Sequence, residues 1–331
     1  MTTHGPDRET LRAAIALAAR APSVHNTQPW RWSIGAESVH LLADWARQAP
    51  ATDPDGRDLL ISCGAALHHF RVALAALGWA TDVHRIPNPA EPDHLAAVEF
   101  RPHVPTDHEV AMAAMISRRR TDRRRMSDWP VPPDHLAILA DRARHEGALC
   151  VPVIEPGARF QLAGAIAQAA VVQAADPDYS GEMALWSGRG AGASEGVLAA
   201  SVPATPGDAW GEPRMRTFSH GTLAQPAGKR YGQQTEYLVI GTSSDDVLSR
   251  LRAGEAVSAA LLGAAELGLA TCSLSQPLEI ADTRRVIRDD ILGGAAIPQL
   301  IIRLGWAPPS AAPLPLTPRR DVEDVIERLE T

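Results

Sequence analysis

Cysteine is scarce in this chain, and its scarcity bears on the redox compartment. The 331 residues contain three cysteines, Cys63, Cys150 and Cys272, and none of them is spaced as C-x-x-C. An odd number of cysteines beside apolar segments is typical of buried, reduced thiols rather than of a disulfide framework. We therefore expect a cytoplasmic protein with free cysteines.

Positive charge is also in short supply. The formal net charge is −7 at pH 7, the isoelectric point is near 5.9, and lysine occurs once, at Lys229. Such a chain lacks the general cationic surface that binds nucleic acids or anionic membranes. Its polar N-terminus shows no targeting segment, and we expect no apolar run to approach the length of a membrane span. We expect no nucleic-acid partner and no membrane partner. Because the chain is acidic overall, any cluster of basic residues is interpreted as a local binding site.

Motifs for metal binding and for nucleophilic catalysis are missing. The histidines, including the pair His68 and His69, lack convergent spacing with cysteine or carboxylate ligands, so we predict no metal site. There is no G-x-S-x-G, no S-x-x-K and no convincing Cys/His pair. The run G-R-G-A-G-A from Gly188 fits a loose dinucleotide fingerprint, but no predicted strand precedes it and we discard it. These patterns predict no catalytic side chain.

Helical and strand periods are clear over most of the chain. Between 176 and 234 the pattern breaks down, and an irregular stretch of roughly sixty residues in a compact domain is typical of a functional lid rather than a linker. The predicted helices cover 8–20, 56–78, 107 into the arginine run at 118–125, 132–146, 158–175, 245–267 and 321–329. The predicted strands cover 30–33, 39–42, 96–100, 151–154, 236–242 and 296–306.

A weak internal repeat links the two ends of the chain. The segment A-A-L-G-W-A-T at 75–81 matches A-E-L-G-L-A-T at 265–271. Each copy closes a long predicted helix and precedes a loop with proline and then a strand. Two copies of one helix-and-strand unit indicate a fused dimer with a shared core, with chance similarity between Ala/Leu-rich helices as the alternative.

The stretch A-P-S-V-H-N-T-Q-P-W-R-W at 21–32 carries the densest local information. Its two prolines forbid a continuous helix, and hydrogen-bonding side chains are crowded into a short turn. Such a turn can present amides and hydroxyls to a planar polar ligand. Taken alone, it is explained as simply by a helix stop beside a packed tryptophan.

The run R-R-R-T-D-R-R-R at 118–125 places six arginines in eight positions. On a helix or its frayed end, Arg119 and Arg123 share one face, and Thr121 adds a hydroxyl donor. Arginine forks match the geometry of a phosphate, so we expect a phosphate site here. A solvated basic face is the alternative, and we expect it for Arg118, Arg124 and Arg125.

Together these segments resemble the FMN-dependent nitroreductase family, and more closely its fused, Acg-type branch of NAD(P)H nitroreductases. The family signature P-S-x-x-N-x-Q-P-W stands at 22–30, and the phosphate motif R-R-S-x-R is matched by R-R-T-D-R at 119–123. The L-G-L segment and the flavin-facing loop of the family look like 267–269 and 273–276. Its basic tail looks like residues 319 and 320. At 275 and 276 the chain has Ser and Gln where the family often has acidic and small residues.

The resemblance implies an α+β, nitroreductase-like fold. Two half-repeats, 1–106 and 107–331, would form an intramolecular pseudo-dimer of mixed sheets packed by helices, with the lid at 176–234 inserted in the second half. The first half lacks R-R-S-x-R and the second lacks P-S-x-x-N, so one FMN per chain is implied, held by both halves. A monomer suffices because the family dimer is fused. The residues that the resemblance assigns to FMN are Pro22, Ser23, Asn26, Gln28, Arg119, Arg120, Thr121, Arg123, Ser275, Gln276, Arg319 and Arg320.

Two functions follow from the resemblance. The first is transfer of electrons from NAD(P)H through FMN to a small-molecule acceptor such as a nitroaromatic or a quinone. The second is non-catalytic storage, sequestration or sensing of FMN, because a lid with Trp186, Trp210, Phe218 and Tyr231 could cover the flavin ring. A relative that has lost its cofactor is a third interpretation, which the intact arginine run disfavours.

Overall fold

The structure, a computed structural model, describes residues 5–204, 215–225 and 235–327. The helices in this part of the chain are α1 (Arg8–Ala18), α2 (Arg57–Ala76), α3 (Asp107–Arg118), α4 (Pro133–His145), α5 (Pro156–Ala174), α6 (Pro177–Trp186), α7 (Val247–Glu266), α8 (Gln276–Glu279), α9 (Ala281–Val286) and α10 (Val322–Val325). The strands are β1 (Trp30–Ile34), β2 (Ser38–Ala43), β3 (Trp79–Arg85), β4 (His94–Pro102), β5 (Leu149–Pro152), β6 (Glu236–Thr242), β7 (Ala270–Leu274), β8 (Ile297–Gly305) and β9 (Ile326–Glu327). The predicted α+β class is confirmed.

The strands form two sheets, one in each part of the chain. The first has the order β3-β4-β2-β1-β9, and the second has the order β5-β6-β8-β7. All pairs are antiparallel except the last in the first sheet, where β9 runs parallel to β1. The first sheet is therefore mixed and takes its edge strand from the far C-terminal segment.

Helices α2 and α7 pack against each other between the two halves. Their contact is reciprocal: a methyl group at Gly64 would overlap the carbonyl oxygen of Leu251, and one at Gly254 would overlap that of Ile61. Gly254 follows Gly64 by 190 positions, and Leu251 follows Ile61 by the same number. The repeated segments at 75–81 and 265–271 have this spacing too. The two helices can approach this closely only because glycine stands at the crossing point.

The apolar core is divided among three clusters. One lies between the first sheet and helices α1 and α2, and includes Trp30, Trp32 and Phe70; it also takes in Leu251 and Leu262 of α7. The other two cover opposite faces of the second sheet, against α4 and α7 on one side and α5 and α8 on the other. The halves therefore share buried residues rather than forming separate cores.

Three strands were not predicted from the sequence, and two of them, β3 and β7, have the same cause. They follow the glycines that end α2 and α7, Gly78 and Gly268, whose φ angles are +91° and +78°. Glycine adopts this left-handed conformation easily and is therefore common as the residue that ends a helix. A loop was expected after each helix, but the chain enters a strand at once. Both strands mix polar and apolar residues, so their period is weak until the neighbouring strand is in place.

The predicted last helix is wrong beyond its first turn. Helix α10 ends at Val325, and Ile326 and Glu327 pair with Trp32 and Ser33 of β1. Backbone pairing at the sheet edge outweighs local helix propensity here. Residues 328–331 lie outside the described part of the chain.

The segment 176–234, expected to be irregular, begins with a helix. The Asp176 side chain accepts hydrogen bonds from the N–H groups of Asp178 and Tyr179, and Pro177 stands in the first turn of α6. Aspartate followed by proline is a strong helix-start signal that the weak apolar period obscured. Residues 205–214 and 226–234, with Trp210 and Tyr231 of the predicted lid, lie outside the described residues.

Helix α2 is long and apolar enough, by length and composition, to cross a membrane. This corrects the expectation that no apolar run reaches that length. Most of its residues are buried inside the protein, which is the property of a core helix.

Candidate functional site

A cavity of about 400 Å³ lies between α2, β7 and the segment that follows α6. This volume is in the range usual for cofactor sites. Its apolar lining includes Ile61, Val257, Leu274 and Leu300. Six of the twelve residues predicted from the sequence line it: Pro22, Ser23, Thr121, Arg123, Ser275 and Gln276.

The loop 22–30 reaches the cavity through a strained turn. His25, Asn26 and Gln28 have φ angles of 47°, 60° and 53°, which non-glycine residues rarely adopt. The turn is held by side chains, because Ser23 Oγ accepts from the Gln28 N–H at 3.0 Å and Ser62 Oγ accepts from the Val24 N–H at 3.2 Å. Strain of this kind persists only where surrounding structure enforces it, and it clusters at functional sites.

Asn26 and Gln28 are buried, but they do not line the cavity. The Asn26 amide donates to the carbonyl oxygens of Gly196 and Pro318 at 3.1 and 3.2 Å. The Gln28 amide donates to the Ser194 carbonyl at 2.9 Å, and its oxygen accepts from the Arg320 N–H at 2.9 Å. In this arrangement both amides tie the loop to the segment after α6 and to the C-terminal tail.

The arginine run is extended rather than helical. Helix α3 ends at Arg118, and Thr121 forms an isolated bridge with Thr271 of β7. The expected helical face shared by Arg119 and Arg123 is therefore wrong. Thr121 and Arg123 line the cavity, whereas Arg119 does not.

Arg124, expected in solvent, is also placed differently. It is 3% exposed, forms an ion pair with Asp122 at 2.8 Å, and donates to the Ala312 carbonyl at 2.7 Å. Because its charge is compensated by Asp122, its role is structural. Arg125 is half-buried and lines the cavity, whereas Arg118 is exposed as expected.

Ser275 and Gln276 follow β7 at the cavity edge. Ser275 Oγ donates to Glu279 at 2.7 Å, and the Gln276 amide donates to Gln173 at 2.9 Å. The side-chain oxygen of Gln276, Oε1, is buried without a hydrogen-bond partner. A buried acceptor of this kind is costly unless a ligand or water satisfies it.

Phe218, expected in the lid, lines the cavity, whereas the cavity residues His25 and Arg216 were not singled out from the sequence. Arg216, which follows the undescribed stretch, forms a buried ion pair with Glu279, and its Nη1 lies 2.9 Å from His25 Nε2. Burial, and then Arg216 and Arg123, hold the pKa of His25 well below its usual value, so this histidine accepts as a neutral ring. The Arg123 guanidinium stacks over Phe218 at 4.7 Å. His25, Arg216 and Phe218 come together only in the folded chain. His25 does lie inside the family signature at 22–30.

Asp58 also lines the cavity and was missed. Its Oδ1 accepts from Arg57 at 2.8 Å, while its Oδ2 is buried without a partner. The neighbouring Asp53 accepts from the N–H groups of Asp58 and Leu59 at 3.0 and 2.8 Å. Burial, and then the Asp58 charge, raise the pKa of Asp53 to about 7. The cavity wall therefore carries a free carboxylate acceptor next to a group that titrates near neutral pH.

Three of the predicted residues, Arg119, Arg120 and Arg319, do not line the cavity, and they influence one another and Arg20 electrostatically. Arg119 is 6% exposed, and the Nε atoms of Arg119 and Arg20 are buried without partners. Burial, and then Arg120 and Arg20, lower the pKa of Arg119 to about 10. Within the described ranges none of the four forms an ion pair with a carboxylate. We call this group the arginine cluster.

The two tail arginines have different surroundings. All five N–H groups of Arg319 are donated within the protein, to the carbonyl oxygens of Ala19, Arg20, Ala21 and Pro318 and to Asn26 Oδ1. Arg320 lies instead near Asp44, 3.9 Å away, and donates to the Asp324 carbonyl at 2.6 Å. Arg319 therefore brings charge to the arginine cluster without a free donor, and Arg320 is outside the cluster.

In the part of the chain that the structure describes, no group of three or more His, Cys, Asp or Glu side chains is arranged to hold a metal ion. Cys63, Cys150 and Cys272 are free and buried, as expected. Burial raises the pKa of Cys272, which lines the cavity, so this thiol is not activated as a nucleophile.

Comparison with known proteins places the chain among oxidoreductases. No protein-family model matches it. Two Mycobacterium tuberculosis H37Rv proteins, both named "Putative NAD(P)H nitroreductase", are similar along their whole length. One is 45% identical over 328 residues, covering 99% of this chain and 94% of the relative. The other, named acg, is 36% identical over 326 residues, covering 96% and 95%.

The structural likeness to solved proteins is weaker. The crystal structure of a nitroreductase, also named putative, from Anabaena variabilis has a TM-score of 0.49 and 11% identity over 92% of this chain and 90% of that one. That score is too low to support an argument about the fold. The two close relatives, each matched over nearly their full length, establish instead that the chain belongs to the family of Acg-type NAD(P)H nitroreductases.

Proposed function

We propose that the chain binds one FMN and transfers electrons from NAD(P)H to a nitroaromatic or quinone acceptor. One observation carries the proposal: three segments far apart in sequence converge on one cavity. They are the loop at 22–23, the residues 121 and 123, and the turn at 275–276. Family membership supports the reductant, while FMN and the acceptor are inferred from the resemblance and the site.

The side chains present fit FMN. The cavity is large enough for a planar cofactor and combines apolar walls with polar groups. Asp58 Oδ2 and Gln276 Oε1 are buried acceptors without partners, and Arg119 Nε is a buried donor without one. A ligand with ring N–H groups and a phosphate could satisfy both kinds of atom.

The roles follow from these positions. Arg119, Arg120 and Thr121 would hold the phosphate, and Arg123 would lie beside the ring in the cavity. Ser23, Ser275 and Gln276 would contact its polar edges, while Asn26, Gln28, Arg319 and Arg320 fix the loops behind them. When bound, FMN supplies hydride and electron transfer, so the protein needs to supply only binding, orientation and shielding from water.

The fused-dimer organisation, with halves at 1–106 and 107–331, is part of the proposal. The reciprocal contacts of Gly64 and Gly254 support it, because in a two-fold interface residue i contacts j and j contacts i. In such an arrangement both family motifs are supplied within one chain, so a monomer suffices.

The absorption spectrum tests the cofactor. Protein purified with FMN should be yellow, and its flavin band should bleach anaerobically with NADH or NADPH. Arg119→Ala combined with Arg123→Ala should release FMN, whereas Arg118→Ala, at an exposed position of the same run, should not. Colourless protein that takes up no added FMN would end the hypothesis.

A second candidate function is FMN storage or sensing, and the segment after α6 favours it. Residues 202–204, 215–218, 220 and 221 line the cavity, and Arg216 is paired there with Glu279 and His25. Phe218 lies edge-on to His25 with ring centroids 6.1 Å apart. A lid fixed by a buried ion pair would exclude a nicotinamide from the ring.

The variant Phe218→Ala distinguishes the two functions. If the lid blocks access, the wild-type protein should bind FMN but be reduced slowly by NAD(P)H, and the variant should be reduced at least several-fold faster. Phe160→Ala is the control, because Phe160 is 77% exposed on α5 and does not line the cavity. Fast reduction of the wild type would leave the oxidoreductase as the sole candidate.

A further inference from the structure

Helix α5 is apolar on both of its faces. One face, with Leu162, Ala165 and Ile166, is buried in the cluster that covers one side of the second sheet. On the opposite face, Phe160 and Val171 are 77% and 71% exposed. A surface helix normally carries polar residues on the side away from the core, and a helix that is apolar all round is normally buried. The outer face of α5 therefore has the composition of a contact surface.

The residues of this outer face follow a regular spacing. Phe160, Gly164, Ala167, Val171 and Ala174 are all exposed, and they are separated by four, three, four and three positions. An average repeat of about 3.5 residues is the spacing with which two helices pack along their length. The 19 residues of α5 extend over about 28 Å, at a rise of 1.5 Å per residue. We call these five exposed residues the α5 seam.

The charge distribution favours a second copy of this chain as the partner. The one charged side chain of α5 is Arg159, which forms an ion pair with Glu236 at 2.8 Å. Two chains that each carry a net charge of −7 can therefore meet at the seam without bringing like charges together there. A helix that lies on a membrane surface carries Lys and Arg residues on a strongly polar face, and α5 has no such face.

The order of large and small residues along the seam is self-complementary. When a second α5 runs antiparallel to the first with Ala167 at the centre, Phe160 lies at the level of Ala174, and Val171 lies at the level of Gly164. Each of these contacts occurs twice, as a two-fold interface requires. Large residues thus face small ones, which lets the two helix surfaces interdigitate without voids. A parallel pair would instead place Phe160 on its counterpart and leave a gap at Gly164.

We propose that the α5 seam is the interface of a homodimer, in which two copies of the chain pair their α5 helices antiparallel about a two-fold axis at Ala167. This association joins two complete chains and is separate from the contact of α2 and α7 within each chain. The flavin site proposed above is complete within one chain. The inference therefore does not rest on the proposed function, and its test involves no flavin.

The oligomeric state of the full-length chain tests the surface. In sedimentation velocity, the wild type should be a dimer at micromolar concentration. Val171→Glu should be a monomer, because the dimer would bury an unpaired carboxylate in the seam. Val110→Glu is the matched control, since it places the same charge at a 51% exposed valine of α3 and should remain a dimer. Both positions are exposed within one chain, so both variants should fold.

Cysteine cross-linking tests the antiparallel arrangement. The native cysteines are all buried, so a cysteine introduced in the seam is the accessible one. Ala167→Cys faces its own counterpart at the two-fold axis and should give a disulfide-linked dimer on oxidation. Ala174→Cys should not, because its two copies would lie about 21 Å apart along the helices, whereas a disulfide needs Cα atoms within roughly 7 Å. A mixture of Ala174→Cys with Phe160→Cys should form the linked dimer.

Several results would overturn the inference. One is a wild type that stays monomeric up to millimolar concentration. Another is a melting temperature that falls in Val171→Glu while the oligomeric state is unchanged, because the face would then be covered by another part of the same chain. Cosedimentation of the wild type, but not of Val171→Glu, with phosphatidylcholine vesicles would assign the face to a lipid surface. Equal cross-linking of Ala167→Cys and Ala174→Cys would contradict the antiparallel pairing.

Discussion

At the residue scale, charge burial decides the chemistry around the cavity. Asp53, Asp58, Arg57, Arg216 and Glu279 form a buried set of charges beside it. Arg57 and Arg216 are each paired with a carboxylate, so these two arginines are compensated. The arginine cluster is not, which is why we expect an anion there and not at Arg216.

The first residue-scale prediction concerns Asp53. Its pKa is raised to about 7 in the folded state, above the ordinary 3.8 that it regains on unfolding. Between these values the unfolded state binds fewer protons, so this carboxyl makes the free energy of unfolding fall as pH rises from about 4 to 7. Asp53→Asn is neutral throughout, so its stability relative to the wild type should rise over that range in urea unfolding.

The matched control is Asp176→Asn. Asp176 also accepts two backbone N–H groups at a helix start, but it is exposed. In both variants asparagine keeps one acceptor oxygen for the backbone N–H groups, and only the buried site should give the pH-dependent gain. A difference between wild type and Asp53→Asn that stays constant from pH 4 to 7 would contradict the raised pKa.

At the element scale, the close contact of α2 and α7 fixes how the two helices are spaced. Gly64 and Gly254 bring the two helix backbones together, and the cavity lies along the same pair, with Ile61 and Ser62 on one side and Val257 on the other. Any change in the spacing of these helices therefore changes the cavity.

The element-scale prediction is that Gly64→Ala destabilises the protein. Its methyl group would overlap the backbone of Leu251, so the helices must shift, at a cost of about 1–3 kcal/mol or more. Gly254→Ala should behave alike, because its contact is the reciprocal one. The free energy of unfolding in urea measures both.

Gly164→Ala is the control. It replaces a glycine within α5 whose added methyl group would have nothing within 4 Å. It should stabilise by up to about 1 kcal/mol, because alanine is the better helix former. Equal behaviour of the three variants would refute the close crossing.

Most elements were predictable because their signals are local. Helix starts such as Thr106 with Glu109 at α3, and glycine stops such as Gly78, act within a few residues. Strands β3, β7 and β9 were missed because their pairing partners supply the hydrogen bonds that define them. The extended run at 119–123 was mistaken for helix for the same reason, since its bridge partner is Thr271.

At the scale of the whole molecule, the two halves interlock. The first core contains Leu251, Leu262 and Val325 from the second half, and β9 completes the first sheet. The proposed flavin site likewise needs both halves, because Ser23 and Thr121 line the same cavity. Cofactor binding is therefore expected to stabilise the junction between the halves, by mass action on the folded state.

The sequence by itself determined the motifs, most of the longer helices and the resemblance to a family, because these depend on residue types at short spacing. It identified six residues that the structure places around one cavity. Only the tertiary structure decided that Asn26, Gln28 and Arg320 bind protein atoms and that Asp58 and His25 line the cavity. The physical reason is that burial, charge compensation and hydrogen-bond partners are set by residues a hundred or more positions away.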